Sequence, residues 1–102
     1  MYVIMAFDKP NSEAVRLENR NDHVAYVLAQ ESIKTAGPFI SDDGDTMIGT
    51  LLLLDVTTRQ EAQAFVDNDP YNKAGLFEAV EIRRWNHLIG GLSDPNSADP
   101  NS

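Results

Sequence analysis

The chain has 102 residues, of which 42% are hydrophobic and 24% are charged, and this size and composition are typical of one globular domain. Eight Lys and Arg against sixteen Asp and Glu give a formal net charge of −8, which repels phosphate backbones and anionic lipid headgroups. We therefore expect neither nucleic acid nor a membrane as a partner.

The N-terminal segment predicts a buried strand. Residues Tyr2 to Phe7 are mostly β-branched or aromatic, and the turn sequence 8–11 follows them. The segment lacks a basic region and meets charged residues too early to be a signal peptide. The longest apolar run, Ile48 to Leu54, is far below the roughly 20 residues that span a bilayer. We expect a cytoplasmic protein.

A helix is predicted over residues 12–35. Asn11 or Ser12 can cap its start, and Gly37-Pro38 is predicted to end it. Three apolar residues at i, i+7 and i+11 form a narrow stripe that we expect to face a sheet: Leu17, Val24 and Leu28. One flank of that stripe carries Arg16, Arg20, His23 and Val27, so His23 is expected at the margin between core and solvent.

A hairpin is predicted next. Phe39-Ile40 forms a short strand, the turn cluster 41–45 follows, and a long strand runs from Thr46 to Val56. Within it, Leu51 to Leu54 does not alternate with polar residues. This run is therefore predicted to be buried on both faces of the sheet.

The second half of the chain predicts one more helix and one more strand. Thr58 to Glu61 matches a capping box, so a helix is expected from there to about Asn68. Asp69-Pro70 ends it, because the residue before proline is disfavoured in helical conformation. Residues 71–75 form a connection, and the last strand spans Phe77 to Trp85.

The order βαββαβ predicts an α+β, ferredoxin-like fold over residues 1–90, with a four-stranded antiparallel sheet and two helices on one face. Residues 91–102 repeat Asp-Pro-Asn-Ser and are predicted to be a disordered tail. No segment remains to cover the second face of the doubly apolar strand. We therefore predict a homodimer, or a higher oligomer, in which two sheets pack face to face.

His23 and Asp69 are the candidate catalytic pair. A carboxylate bonded to one imidazole nitrogen fixes the tautomer and leaves the other nitrogen free to accept a proton from a substrate. His23 is then the base and Asp69 the residue that orients it. Both also have an ordinary explanation, because a histidine on a helix flank is often a packing residue and an aspartate before proline is often a cap.

Several short segments, in order and spacing, resemble the YciI-like (YCII-related) domain family. They are Arg20-Asn21-Asp22-His23, Ala36-Gly37-Pro38, Ile48-Gly49-Thr50, Asp69-Pro70-Tyr71 and Ala74-Gly75-Leu76. The resemblance extends from the first strand to about Trp85. It implies a ferredoxin-like protein of the dimeric α/β-barrel kind, with a His–Asp active site at His23 and Asp69. One kind of relative is a dehydrochlorinase of a chlorinated hydroxyhydroquinone, and some relatives carry a serine near the histidine, where this chain has Asn21 and Asp22.

The function expected from these residues is cofactor-independent acid–base chemistry on an unknown small organic molecule, of an elimination, isomerisation or lyase type. Among substrate-binding candidates, Arg20 either holds an anionic group or pairs with a surface carboxylate, and Tyr71 either donates a hydrogen bond or packs as a lid. Gly37 and Pro38 fit the backbone at a turn or line the pocket. We expect no metal site and no cofactor. The alternative is a dimeric module that binds a small molecule or another protein without catalysis, or a structural dimer that keeps an inactive pair.

Overall fold

A computed structural model describes residues 1–91. It contains four strands and three helices: β1 (Tyr2–Asp8), α1 (Glu13–Leu28), β2 (Ile33–Ile40), β3 (Met47–Leu54), α2 (Arg59–Asn68), α3 (Pro70–Lys73) and β4 (Phe77–Arg84). The strands form one antiparallel sheet in the order β2-β3-β1-β4. This is the α+β ferredoxin-like fold that the element order predicted.

The core lies between the helices and one face of the sheet. In the register of the three strands, Ile4 of β1 is paired with Leu52 of β3 and Ile82 of β4, so the three side chains lie in one row. Helix α2 covers this row with Phe65 and Val66. Burial of such aliphatic and aromatic side chains contributes about 1.5–3 kcal/mol each to folding.

The opposite, outer face of the sheet is also apolar. Strand residues on this face alternate with those of the core. Four of them border a cavity of about 530 Å³: Val3, Met5, Leu51 and Leu53. The rest of its lining consists of Thr35, Trp85, His87, Ile89, Gly90 and Gly91. Of the run predicted to be buried on both faces, Leu52, Leu53 and Leu54 are buried, whereas Leu51 on the outer face is partly exposed. The segment after β4 borders the cavity on this face and is itself exposed, with Ile89 at 92%.

Helix α1 is shorter than predicted and strand β2 is longer. The helix ends at Leu28, and β2 continues through Gly37 and Pro38, which were predicted to terminate the helix. Strand β2 is an edge strand, where proline is tolerated because one side of the strand has no ladder to supply with N–H groups. The Gly-Pro pair is therefore part of the sheet and not a turn.

The predicted apolar stripe of α1 does not face the sheet. Leu17 is 75% exposed and Leu28 is 80% exposed, whereas Arg16 and His23 are buried. These two residues are seven positions apart and therefore lie on one face of the helix. The helix is rotated relative to the prediction because polar residues occupy its inward face.

Three further findings concern the second half of the chain. The capping of α2 is confirmed, since the Thr58 hydroxyl accepts a hydrogen bond from the backbone N–H of Glu61. The connection after Asp69 contains a short helix, α3, that was not predicted. The predicted tail lies, apart from Gly91, outside the described residues. Within residues 1–91, no helix is long and apolar enough to cross a membrane.

Gly49 is a position at which a side chain does not fit. A Cβ atom built there overlaps the backbone oxygen of Ala6 and lies 3.0 Å from the Phe39 ring. We expect Gly49→Ala to lower the free energy of unfolding by about 1–3 kcal/mol, the usual cost of overpacking. Gly37→Ala is the control, because nothing lies within 4 Å of its Cβ. Urea unfolding measures both, and equal stabilities would contradict the assignment.

Candidate functional site

A cavity of about 260 Å³ opens between α1, strands β2 and β3, and α3. Its polar lining consists of Arg16, Arg20, His23, Thr50 and Tyr71. Its apolar lining includes Val24, Val27, Leu28, Ala36, Pro38 and Met47, with Gly37 beside them. The cavity is slightly smaller than the roughly 300–1,000 Å³ of typical pockets for drug-sized ligands, so it suits a small molecule.

His23 and Asp69 are in contact. Nδ1 of His23 lies 2.8 Å from Oδ1 of Asp69, and Asp69 is only 1% exposed. A carboxylate only accepts hydrogen bonds, so this contact favours the tautomer that carries the proton on Nδ1. The same Oδ1 accepts a second hydrogen bond of 2.9 Å from the backbone N–H of Tyr71. Asp69 therefore caps α3 and orients the imidazole with one oxygen atom.

The ring of Tyr71 supports the imidazole from one side. The two rings are stacked, with centroids 3.9 Å apart and an angle of 13° between their planes. The guanidinium carbon of Arg16 also lies over the Tyr71 ring, 4.7 Å from its centroid. The imidazole is thus held by a hydrogen bond at Nδ1 and by a stacked ring. Its Nε2 forms no hydrogen bond with any described residue.

Arg16 is the buried anchor of the site, and sequence reasoning gave it no role. Its Nε and Nη2 donate to the two carboxylate oxygens of Asp8 at 2.8 and 3.2 Å. Its Nη2 also donates to the Thr50 hydroxyl at 2.7 Å. Such a two-pronged contact fixes the guanidinium more firmly than a single ion pair does. These hydrogen bonds link β1, α1 and β3, and both Arg16 and Thr50 line the cavity.

The structure also locates the other candidate residues. Arg20 is exposed and lines the cavity, and within residues 1–91 it forms no ion pair. Gly37 and Pro38 line the cavity from the edge strand β2. Tyr71 is both a packing residue and a cavity residue. His87 is exposed and outside this cavity.

The charges of this region act on Tyr71. Burial raises the pKa of Tyr71 above its ordinary value of 10; Arg16 and Arg20 oppose the increase and Asp69 and Asp8 add to it. The phenol is therefore neutral at physiological pH and is able to donate a hydrogen bond.

In the described part of the chain, no three His, Asp or Glu side chains are grouped closely enough to hold a metal ion.

The raised pKa of Tyr71 predicts a loss of stability in alkali. The unfolded chain ionises Tyr71 near pH 10, whereas the folded protein keeps the phenol neutral to higher pH. Above pH 10 the folded state thus binds more protons, so the free energy of unfolding falls as pH rises. Burial raises the pKa of Tyr26 in the same direction. Urea unfolding between pH 8 and 11 measures this decline. Tyr71→Phe is expected to make the free energy of unfolding fall less steeply with pH. The same dependence on pH in the parent protein and the variant would contradict this prediction.

Besides Arg16, two residues that contact it could not be found from sequence patterns. Asp8 was assigned to the turn after β1, although it is the last residue of that strand. Thr50 lies in an apolar strand and has no polar neighbour in sequence that indicates its hydrogen bond to Arg16. The only available signal was the alternation of β3, which places Thr50 on the same face as Leu52.

Comparisons with known proteins give the family. Residues 1–86 match the YCII-related domain. The protein YciI of Escherichia coli O6:H1 is 34% identical over 97 residues, covering 87% of this chain and 99% of the relative.

Solved structures agree. The 5-chloro-2-hydroxyhydroquinone dehydrochlorinase TftG of Burkholderia phenoliruptrix AC1100, in complex with 2,5-dihydroxybenzoquinone, superposes with a TM-score of 0.78 at 35% identity, covering 85% of this chain and 94% of that one. A protein of unknown function from Nitrosomonas europaea, NE2512, superposes with a TM-score of 0.55 at 15% identity over 91% of this chain and 92% of its own, which supports the fold alone. Sequence and structure together show that this chain belongs to the YCII-related domain family.

Proposed function

We propose that the protein is a cofactor-independent enzyme in which His23 moves a proton of a small organic substrate and Asp69 orients His23. The observation that carries this proposal is the 2.8 Å contact from Nδ1 to a buried carboxylate at the wall of a cavity. Arg20, Tyr71, Gly37 and Pro38 bind the substrate. The similarity to TftG, a dehydrochlorinase, supports an enzymatic function for a protein of this fold.

In this mechanism the Nε2 lone pair of His23 takes a proton from a carbon–hydrogen bond of the substrate. The electron pair of that bond forms a new double bond. In an elimination, the leaving group on the neighbouring carbon departs with the electron pair of its own bond, and the imidazolium then releases the proton to water. In an isomerisation, an adjacent double bond shifts its electron pair to a further carbon, which takes the proton back from His23. The negative charge of Asp69 stabilises the imidazolium that forms between the two steps.

The cavity also supports an alternative, a module that binds a small molecule or a protein without converting it. Buried histidine and aspartate residues that hydrogen-bond to each other also occur for structural reasons, and Asp69 already has such a reason as the cap of α3. Binding without turnover distinguishes this alternative from the proposed enzyme.

The test is a search for turnover without added cofactor. The parent protein is incubated in heavy water with small phenols, lactones and halogenated hydroquinones, including 5-chloro-2-hydroxyhydroquinone, and deuterium uptake and halide release are measured. We expect at least one compound to be converted by the parent protein and none by His23→Asn. Conversion of no compound, or equal conversion by the variant, would overturn the proposal.

We also propose that the protein forms a homodimer through the outer face of its sheet. The support is the apolar character of that face, including Leu51 and Leu53, and the fact that two copies present the same surface to each other. Sedimentation equilibrium is expected to give twice the monomer mass for the parent and the monomer mass for Leu51→Lys. Leu17→Lys, on the exposed side of α1, is the control and should remain dimeric. A monomeric parent protein would exclude this assembly.

A further inference from the structure

The cavity is basic although the chain is strongly acidic. In the part of the chain that the structure describes, the cavity lining contains two arginines and a histidine but no aspartate or glutamate, against a formal net charge of −8. Asp8 compensates the charge of Arg16. Among residues 1–91, Arg20 has no such partner, so its charge is not compensated there.

The surroundings of Arg20 explain its lack of a partner. On a helix, a side chain meets those three and four positions away, which for Arg20 are Arg16, Leu17, His23 and Val24. None of these is a carboxylate. The charge of Arg20 acts inward as well, because it opposes the burial-driven rise in the pKa of Tyr71 on the cavity wall.

We infer that the cavity accepts a small organic anion, whose charged oxygen is bound by Arg20 and whose apolar body lies against the apolar lining. A guanidinium presents a planar set of N–H donors that matches a carboxylate or an ionised phenol. The hydrogen bonds of buried Arg16 to described residues use its Nε and Nη2 atoms, so its Nη1 offers a second donor.

The position of Arg20 relative to His23 suits the reaction of the proposed function. The claim that the bound anion is a substrate rests on that proposed function. Arg20 and His23 are three residues apart on one helix, so their β carbons are about 5–6 Å apart. An anionic oxygen bound at Arg20 therefore brings neighbouring carbon–hydrogen bonds close to His23. The guanidinium also stabilises the negative charge that develops when the proton leaves.

The experiment compares binding of benzoate with that of benzamide, its neutral counterpart, by calorimetry and by NMR titration. We expect the parent protein to bind benzoate at least about tenfold more tightly than benzamide. Arg20→Met should remove this preference. Arg84→Met is the matched control, because Arg84 is also exposed but lies outside the cavity, and it should change the affinity by less than about twofold.

Equal binding of the two compounds, binding of neither, or an equal effect of both arginine variants would overturn the inference. His23→Asn separates it from the proposed function, because this variant removes the base but keeps Arg20. If His23→Asn keeps the preference for benzoate while the parent protein converts no compound, the anion site stands and the catalytic proposal fails. If turnover depends on His23 but benzoate has no advantage, the catalytic proposal stands and the anion site fails.

Discussion

Replacing Asp69 by asparagine is expected to slow turnover by about 10²–10⁴-fold while the fold remains intact, since this is the range that positioned acid–base groups contribute. Asparagine keeps an oxygen at the position that accepts hydrogen bonds from Tyr71 and His23. It lacks the negative charge that stabilises the imidazolium after proton transfer. The loss should therefore appear in kcat rather than in protein stability.

The control for this prediction is Asp67→Asn. Asp67 lies two residues earlier, on the exposed side of α2, and contacts only Gln63 through its side chain in the described structure. The Asp67→Asn variant removes the same charge as Asp69→Asn does, but it leaves the site unchanged. Kinetics are measured on a compound that the parent protein converts, and circular dichroism checks the fold. Equal turnover in the two variants would show that the charge of Asp69 has no part in the reaction.

Replacing Arg16 by methionine is expected to lower the free energy of unfolding by about 3–5 kcal/mol, because the variant leaves a buried carboxylate without its partner. The Asp8 side chain is only 6% exposed, and Arg16 binds both of its oxygens. The variant also removes the donor to Thr50 and the cation above the Tyr71 ring. Arg16, Thr50 and Tyr71 all line the cavity.

A second variant tests the cause of this loss. Adding Asp8→Asn to Arg16→Met removes the buried charge, so the double variant should be more stable than Arg16→Met alone. Arg83→Met is the control for an exposed pair, because Arg83 contacts Glu81 at the surface and its loss should cost less than about 1 kcal/mol. Urea unfolding of the variants gives the comparison. A loss for Arg16→Met no larger than that for Arg83→Met would contradict the assignment.

The strands of the central sheet were predictable because their patterns are local. The register of β1 and β3 follows from apolar residues that must share the core face, such as Ile4 and Leu52. The boundary between α1 and β2 was not predictable in this way. Gly37-Pro38 usually ends an element, and only the position of β2 at the sheet edge makes the pair acceptable in a strand.

The site was predictable only in part, because its residues are far apart in sequence and local patterns do not connect them. His23 and Asp69 are 46 residues apart, and no local pattern brings them together, so chemistry and the family resemblance suggested the pair that the structure places in contact. Hydrophobic periodicity gave the wrong face of α1, since it assumes that the inward face is apolar. Here that face carries Arg16 and His23, and the contacts of Arg16 with Asp8 and Thr50 exist only in the folded sheet.

The most direct test of the central claim is the tautomer of His23, measured from the ¹⁵N chemical shifts of its two ring nitrogens in the neutral form. We expect the proton on Nδ1 and the lone pair on Nε2, because Asp69 accepts a hydrogen bond from Nδ1. His87, exposed and distant from Asp69 in sequence, provides the internal reference. Asp69→Ser, which retains a capping hydroxyl but has no carboxylate, should lose this preference. A proton on Nε2 of His23 in the parent protein would contradict the account.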